Sequence, residues 1–551
     1  MTRWPPLIAY FALVAAGFAL LFTRLDDRYL WTDEAETAIL ATSILEHGVP
    51  RLTPEADIPY ARPLNWVNDA DIWVATPWLD EYLAAASLAT FGKNTWAARL
   101  PFALAGWLAV ALLPLVAYRI WHSPAVALTA GLLYVTTVPM LLHARQCRYY
   151  ALIMLAQIWL VYALGRAARG DRLSGGLQIA LALVVQFYAN FFVVLGNGLA
   201  LGLTSLALAR RNGGLFRSTL AAGAGLIAGA LPWIVYANPF RLSGMLDVAH
   251  VPRQLPYYVG VLHLYVLPLE IVLLVPLVWW RRRQAARAAP SDDGDSTRTT
   301  NRDTSRGTIG AVGTVGTARD TASNAAGTEA GRDTAPLEAR RAVECFLYML
   351  VPLYVVVVSL AGNRSFPYLT PLLPVLMMLA AVLLTEGVRR VWLRAVLIAL
   401  LAATNLLADP LGLVPSARWP LAQYVREITT PYSDRIEDIV RYLAEHVAAG
   451  QTLAAVDAEL PLVFYLPVRV QTIDPAQLDM GDLPEWLLLE SVSRSDSQRR
   501  AALPAHLAPY YEPREVRVHA TAREGVYPTP DSHAPFTAPE TEVLVIYKLR
   551  E

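Results

Sequence analysis

Charged residues and cysteines are both scarce in this chain. Only 17% of its 551 residues are charged, and 46 basic residues balance 46 acidic ones. The net charge therefore favours no polyanionic partner, and with no nucleic-acid motif present we predict no nucleic-acid partner. The two cysteines, Cys147 and Cys345, fall in different apolar regions. They provide neither a CxxC pair nor a disulfide framework, which excludes a disulfide-stapled fold.

Apolar residues, in contrast, are abundant. They make up 55% of the chain, and the mean hydropathy is +0.37. These values lie well outside the range of an ordinary soluble domain and predict a polytopic integral membrane protein. The first apolar run, Leu7–Phe22, follows Arg3 and lacks an A-x-A-like cleavage site. Because many similar runs follow it, we interpret it as a retained span and not as a signal peptide.

The apolar runs predict both the number of spans and their orientation. A hydrocarbon core about 30 Å thick is crossed by roughly 20 apolar residues. Counting the first run, about eleven spans are predicted, with the others at about 100–120, 124–142, 150–165, 176–190, 191–209, 217–236, 257–280, 342–361, 367–385 and 392–408. Arginines cluster around Arg119, Arg169, Arg211, Arg282 and Arg390. If every span crosses once, these clusters share one side, which the positive-inside rule assigns to the cytoplasm.

The same pattern divides the chain into domains. Residues 1–409 are predicted to form the transmembrane domain, with an outer loop at 23–96. Residues 285–340 are rich in Ser, Thr, Asp, Gly, Ala and Arg, which predicts a disordered cytoplasmic loop. The tail, 410–551, combines an amphipathic helix pattern at 436–447 with strand-like runs. We predict an α-helical polytopic membrane protein of about 11 transmembrane helices with a C-terminal extracytoplasmic α/β domain.

Two adjacent carboxylates follow directly on the first span, in the motif Trp31-Thr-Asp-Glu-Ala-Glu36. Ionisable groups at a membrane surface are costly to bury and tend to be kept for chemistry or ion handling. Asp33 and Glu34 are therefore the first candidates for a functional site. The alternative is that they are solvated loop acids or helix N-caps. Further along the loop, short amphipathic runs that end at Tyr82 and Phe91 predict interfacial helices bordering a groove at the membrane edge.

Several motifs in the first 160 residues carry a family resemblance. They are the Asp33-Glu34 pair, a Pro-Trp-Leu…Tyr helix that ends at Tyr82, Phe91-Gly92, Ala98-Arg-Leu-Pro-Phe-Ala-Leu104 and Ala144-Arg-Gln-Cys-Arg-Tyr-Tyr-Ala-Leu152. In this order and spacing they resemble the membrane glycosyltransferases of the GT-C superfamily. The branch they resemble most is glycosyltransferase family 39, with its protein O-mannosyltransferases and lipid A aminoarabinose transferases. Beyond residue 160 the resemblance is one of architecture only.

This resemblance implies an enzyme that transfers a sugar from a polyprenyl-phosphate donor to a lipid, glycan or protein hydroxyl. The reaction is expected to invert the sugar and to take place at the extracytoplasmic face of the cytoplasmic (inner) membrane, among membrane lipids. Asp33 matches the position of the family's base, which takes the acceptor proton, and Glu34 would orient it or bind the acceptor. The sequence leaves open the sugar, the acceptor and whether a divalent metal is needed as a cofactor.

Two further groups of candidate residues follow from the resemblance and from charge. The family commonly has an acidic or His residue where this chain has Ala75, so Asp71, Asp80 or Glu81 are candidates to supply the second acid. Arg145, Arg148 and Arg364 are candidates to bind the lipid phosphate, because guanidinium forks match phosphate oxygens. The alternative for these arginines is interfacial snorkelling.

Two other classes of function compete with the transferase. A polyprenyl-lipid flippase or transporter would also need outward charge and many spans, but such proteins usually carry charged or broken segments near the midplane and internal repeats. Neither is clear in this sequence. A membrane-anchored binding or assembly protein would place the working part in the tail, which carries no motif.

Overall fold

The computed structural model describes residues 7–54, 56–239, 246–288, 318–413, 418–457, 459–474, 478, 483–490, 501–520 and 540–550. Helices dominate, as the long apolar runs predict. In chain order they are α1 (Leu7–Phe22), α2 (Thr32–His47), α3 (Leu79–Phe91), α4 (Thr95–Trp121), α5 (Pro124–Thr136), α6 (Val138–Ala144), α7 (Tyr150–Ala168), α8 (Arg172–Ala189), α9 (Phe191–Leu208), α10 (Gly213–Ala237), α11 (Val251–Val261), α12 (Leu274–Ala288), α13 (Ala318–Val358), α14 (Leu372–Gly387), α15 (Val391–Ala403), α16 (Pro420–Thr429), α17 (Arg435–His446) and α18 (Leu460–Tyr465).

Every predicted span coincides with a helix or with a bent pair of helices. Six helices are individually long and apolar enough to cross a membrane, namely α4, α7, α8, α9, α10 and the part of α13 from Pro336 to Val358. Three shorter apolar helices, α1, α14 and α15, have 16, 16 and 13 residues. Together with two bent pairs, they account for the predicted runs. The prediction of a polytopic helical membrane protein is confirmed.

Two of the predicted runs are bent at a proline. The run at 124–142 forms α5 and α6, which meet at 64° around Thr137. Pro139 has no N–H with which to continue the hydrogen bonding of α5. The run at 257–280 forms α11 and α12 with their adjoining turns, which meet at 91°. Pro268 follows a residue with extended backbone, the conformation that a proline favours in the residue before it.

The arginine clusters lie at one end of the helix bundle. Arg169 donates from Nη1 to the carbonyl of Arg119 at 3.0 Å, and Asn212, beside the next cluster, donates to the carbonyl of Ala168 at 3.0 Å. These bonds join the end of α4 to the end of α7, and the end of α7 to the turn between α9 and α10. The grouping that the sequence predicts for these clusters is therefore reproduced in three dimensions.

A closed ring of ion pairs ties the remaining helices into the same end. Arg282 contacts Glu344 at 2.6 Å and Glu386 at 2.7 Å, and Arg340 contacts the same two acids at 2.9 and 2.6 Å. Trp121 donates from its indole Nε1 to Glu344 at 2.8 Å. Because each acid is shared by two arginines, the ring links α12, α13 and α14 to the end of α4.

The interval 285–340, which the sequence predicts to be a disordered loop, lies next to this ring. Within the interval 285–340, residues 289–317 lie outside the described residues. On either side of them α12 continues to Ala288 and α13 begins at Ala318. The disorder of the interval stays a prediction. Arg340 is moreover held in the ion-pair ring.

The C-terminal segment forms a small mixed sheet packed with short helices. Its strands are β1 (Thr452–Ala455), β2 (Arg469–Thr472), β3 (Trp486–Leu488), β4 (Tyr511–Ala520) and β5 (Glu540–Leu549), in the order β2-β1-β3-β5-β4. β1 pairs in parallel with β2 and β3, while β5 is antiparallel to β3 and β4. α17 covers the predicted amphipathic helix, and β1 and β5 coincide with the predicted strand-like runs. The α/β character of this segment is confirmed.

The outer loop folds into a compact unit between α1 and α4. It contains α2 and α3, and between them the chain doubles back, with the amide of Leu52 donating to the carbonyl of Asp71 at 2.8 Å. α3 begins where the Pro-Trp-Leu…Tyr motif predicts an interfacial helix. Gly48 ends α2 with φ 77°, a left-handed conformation that glycine adopts without a steric penalty. α2 and α3 border the candidate site.

Candidate active site

The Trp31–Glu36 motif opens α2. Trp31 is extended, with φ −79° and ψ 174°, and the helix begins at Thr32. Asp33 and Glu34 therefore stand in the first turn, where the helix dipole favours carboxylates. Asp33 is partly exposed, whereas Glu34 has no exposed surface. The two adjacent acids thus have different surroundings, which separates their possible roles.

Glu34 is fully engaged inside the protein. Its Oε1 accepts from Arg99 Nε at 2.8 Å and from the amide of Cys147 at 2.8 Å. Its Oε2 accepts from Arg99 Nη2 at 2.6 Å and from the amide of Trp31 at 3.4 Å. Both oxygens are occupied by internal donors, so Glu34 holds α2 against α4 and the turn before α7. This geometry favours the orienting role predicted for Glu34 over acceptor binding.

Arg148 lies against the first turn of α2. Its Nη1 donates to the carbonyl of Asp33 at 3.1 Å, to Glu36 Oε1 at 2.9 Å and to Thr37 Oγ1 at 2.9 Å. Tyr60 donates to the other oxygen of Glu36 at 2.7 Å. The Nε of Arg148 is buried and has no hydrogen-bond partner among the described residues. Nη1 of the guanidinium is therefore held by the protein, while Nε is a buried donor that no described residue satisfies.

Asp80 and Glu81, in the first turn of α3, are brought close to this arginine. Both are buried, and the two adjacent carboxyl groups interact with each other. Burial raises the pKa of Asp80 to about 6, and burial together with the charge of Asp80 raises the pKa of Glu81 well above its ordinary value. Arg148 lies close enough to both for its charge to oppose these shifts. The pair therefore retains a proton beside the candidate site.

Arg145 and Arg364 have surroundings unlike those of Arg148. The guanidinium of Arg145 donates to the carbonyls of Leu20, Thr23 and Arg24 at 3.2, 2.9 and 2.8 Å. It therefore caps the C-terminal end of α1, where carbonyls lack helical partners. Arg364 is exposed, and its guanidinium lies 5.3 Å from the ring centre of Tyr257. Of the three predicted phosphate ligands, Arg148 is the one in contact with the Asp33 turn.

Asp71 is placed away from this group. It is exposed, and its carboxylate pairs with Arg62 at 3.0 Å, which also pairs with Asp57 at 2.7 Å. Its backbone has φ 58°, so it lies at a left-handed turn of the outer loop. An exposed ion pair contributes little free energy. Of the predicted candidates for the second acid, Asp80 and Glu81 are the ones near Arg148.

Taken as chemistry, the site combines a partly exposed carboxylate with a guanidinium donor. Asp33 can accept a proton, and Arg148 can stabilise an anion beside it. Tyr60 and Tyr368 lie near enough to Asp33 to interact with its charge. Among the described residues, no group of three or more His, Cys, Asp or Glu side chains could hold a metal ion.

The site stands at the end of the bundle opposite the ion-pair ring. Arg99 is the fifth residue of α4 and Trp121 is its last, 22 positions further on. At 1.5 Å per residue this separation is about 33 Å, close to the thickness of a hydrocarbon core. The candidate site and the ion-pair ring therefore lie at opposite ends of a bundle long enough to span a membrane.

Three site residues were missed from the sequence. Glu36 lies three positions after Asp33 on α2, so its helical spacing from Asp33 was a usable signal. Arg99 belongs to one of the motifs that carried the family resemblance. No pattern in the sequence marks Tyr60, because its contact with Glu36 depends on how the outer loop doubles back.

The fold of this chain is similar to that of solved protein structures. Neither protein-family profiles nor curated sequences match this chain. Among solved structures it is similar to ArnT from Cupriavidus metallidurans bound to undecaprenyl phosphate, with a TM-score of 0.54 and 17% identity over 85% of this chain and 86% of ArnT. ArnT in the apo state gives the same TM-score and identity over 84% and 85%. The fold of this chain is therefore similar to that of ArnT over most of the length of both proteins.

Proposed function

We propose that this protein transfers a sugar from a polyprenyl-phosphate donor to an acceptor hydroxyl at the outer face of the cytoplasmic membrane. The observation that carries the proposal is the hydrogen bond from Arg148 to the backbone carbonyl of Asp33, which places the guanidinium beside the turn that carries the Asp33 carboxylate. A proton acceptor and an anion-binding group are held by one turn of helix. Glycosyl transfer from a phosphate leaving group needs this combination.

Asp33 acts as the general base in this proposal. The carboxylate takes the proton of the acceptor hydroxyl as the oxygen attacks the anomeric carbon, and the bond from that carbon to the phosphate oxygen breaks. The electron pair of the broken bond leaves with the lipid phosphate. Attack occurs opposite the leaving group in a single displacement, so the configuration at the anomeric carbon inverts.

Arg148 binds the phosphate in this proposal. Its buried Nε lacks a partner among the described residues, and a donor without an acceptor is costly unless a ligand supplies one. Charge develops on the phosphate as the bond breaks, so a fixed guanidinium stabilises the transition state more than the ground state. The bonds from Nη1 to Asp33, Glu36 and Thr37 fix that guanidinium before the donor arrives.

A lipid-linked donor is supported by position and by similarity. Asp33 lies eleven residues after the end of α1, so a phosphate anchored in the adjacent leaflet can reach it. The structure of ArnT with which this fold agrees contains undecaprenyl phosphate. Glu34 then serves to orient the turn that carries Asp33, and the proton that the Asp80–Glu81 pair retains limits the negative charge beside Arg148.

The test is a transfer assay with purified protein in lipid nanodiscs and a panel of radiolabelled polyprenyl-phosphate sugars. We expect one donor to lose its label to an acceptor extracted from the same membrane, with free polyprenyl phosphate as the second product. The matched control is protein carrying Arg148→Ala. Failure to transfer from every donor, combined with movement of labelled lipid across proteoliposomes, would instead establish the flippase function.

A further inference from the structure

The C-terminal domain reaches the rear of the candidate site through Tyr465, the last residue of α18. The Tyr465 hydroxyl accepts a hydrogen bond from the amide of Leu30 at 2.9 Å and lies 2.6 Å from Thr95 Oγ1. Its ring stacks on that of Tyr29, with the centroids 4.1 Å apart. A single side chain of the domain therefore contacts the segment before α2 and the first residue of α4.

Two further contacts hold the same part of the loop from the same side. Arg28 pairs with Glu427, and its guanidinium lies 4.8 Å from the ring centre of Tyr432. Tyr424 donates from its hydroxyl to the carbonyl of Leu20 at 2.8 Å. α16 and the turn after it thus hold the chain from the end of α1 onward. The C-terminal domain therefore packs directly against the outer loop.

The opposite side of this segment is held by the membrane domain. Arg99, in α4, donates to the carbonyls of Leu25, Arg28 and Tyr29 at 3.0, 2.9 and 3.2 Å, besides its bonds to Glu34. The chain that enters α2 is therefore enclosed between Arg99 and Tyr465. Since Leu30 lies only three positions before Asp33, the orientation of the first turn of α2 depends on how this short segment is held.

We propose that Tyr465 is a positioning residue, whose hydroxyl fixes the start of α2 and thereby the place of the Asp33 carboxylate. This inference rests on the proposed function and adds a role for the C-terminal domain, namely to complete the active site from behind. Leu30 is fully buried, so its amide finds no water to replace a lost acceptor. Without the hydroxyl the turn must shift, and small misplacements of a reacting group reduce catalysis strongly.

Tyr465→Phe tests the inference because it removes the hydroxyl and keeps the ring that stacks on Tyr29. We expect kcat to fall between about 10-fold and about 100-fold while the KM for the lipid donor stays within roughly 2-fold. The matched control is Tyr510→Phe, an exposed tyrosine of the same domain, which should leave both constants unchanged. An unchanged kcat in Tyr465→Phe would overturn the inference.

The partner of the hydroxyl provides a second, independent variant. Thr95→Val removes the hydrogen bond from the side of α4 and should reduce kcat in the same direction. Thr95→Ser keeps the hydroxyl and should restore activity to near the wild-type value. If Thr95→Ser were as impaired as Thr95→Val, packing around α4 and not the hydroxyl bond would control the rate, which would contradict the inference.

Hydrogen exchange separates this inference from the proposed function, because it requires no donor. In Tyr465→Phe, amides of a peptide covering residues 28–34 should exchange at least about 5-fold faster, while those of β1 and β3 stay unchanged. Exchange at the wild-type rate would refute the role of Tyr465 in ordering the start of α2. If the wild-type protein transfers no sugar but Tyr465→Phe still exchanges faster, the proposed function is contradicted. The role of Tyr465 in ordering the start of α2 is then still supported.

Discussion

Replacing Glu34 by glutamine is expected to destabilise the protein severely, although the two side chains have nearly the same shape. All four groups that Glu34 contacts are donors, namely two guanidinium nitrogens of Arg99 and the amides of Cys147 and Trp31. A glutamine must point its NH₂ group at one pair of these donors in either orientation. The substitution therefore removes a charge and also turns acceptors into donors.

The magnitude follows from burial. Glu34 has no exposed surface and the side chain of Arg99 is 11% exposed, so the ion pair is shielded from water. Removing one partner of a buried pair leaves the other charge uncompensated and costs about 3–5 kcal/mol. In a cooperative unfolding transition of a chain of 551 residues, such a loss lowers the melting temperature by about 3–4 °C.

The assay is thermal unfolding of detergent-solubilised protein, followed by near-ultraviolet circular dichroism. Glu46→Gln is the matched control, because Glu46 belongs to the same helix but has a side chain that is 64% exposed. A double variant, Glu34→Gln with Arg99→Met, removes both charges and should recover part of the lost stability, because no charge is left buried alone. Equal melting temperatures for Glu34→Gln and Glu46→Gln would refute the reasoning.

Three further outcomes are expected. Arg148→Lys should lower transfer roughly 10-fold or more, since a point charge replaces a planar fork; full activity in Arg148→Ala would assign the residue a structural role only. The pKa of Asp80 is raised in the folded state, so the native protein binds more protons than the unfolded chain. Stability should therefore fall as pH rises from about 4 to about 6. Because the pKa of Glu81 is raised further, its contribution to stability should be lost at still higher pH. Asp80→Asn should flatten this dependence in melting curves, and an unaltered slope would contradict it. In a chain without native cysteines, a membrane-impermeant thiol reagent applied to intact cells should label Glu515→Cys but not Arg211→Cys, and the reverse pattern would invert the proposed topology.

Features that depend on local sequence were predictable. Apolar runs predicted the spans because a helix in lipid must form all its backbone hydrogen bonds within one continuous apolar segment. The same locality explains why α17, β1 and β5 were found from periodicity. Asp33 could be proposed as a candidate because it lies in the first polar segment after the first span, which a hydropathy pattern reveals.

Contacts between distant segments were not predictable in this way. Glu34 and Arg99 are 65 positions apart, and Leu30 and Tyr465 are 435 apart. No periodicity relates such pairs, which form only when segments that are distant in the chain pack together. The same limit explains Arg145, which from the sequence resembles Arg148 but in the structure caps α1.

The most direct test of the proposed mechanism is the transfer rate of Asp33→Asn. The asparagine keeps the shape of the side chain and removes the proton acceptor, so the rate should fall by roughly 100-fold or more, the usual scale of a general base. Donor binding and melting temperature should match those of Asp57→Asn, a variant of an acid in the exposed ion pair with Arg62. The wild-type product should have an inverted anomeric configuration. Near-normal turnover in Asp33→Asn would contradict the assignment of the base, and a retained configuration would contradict the single displacement.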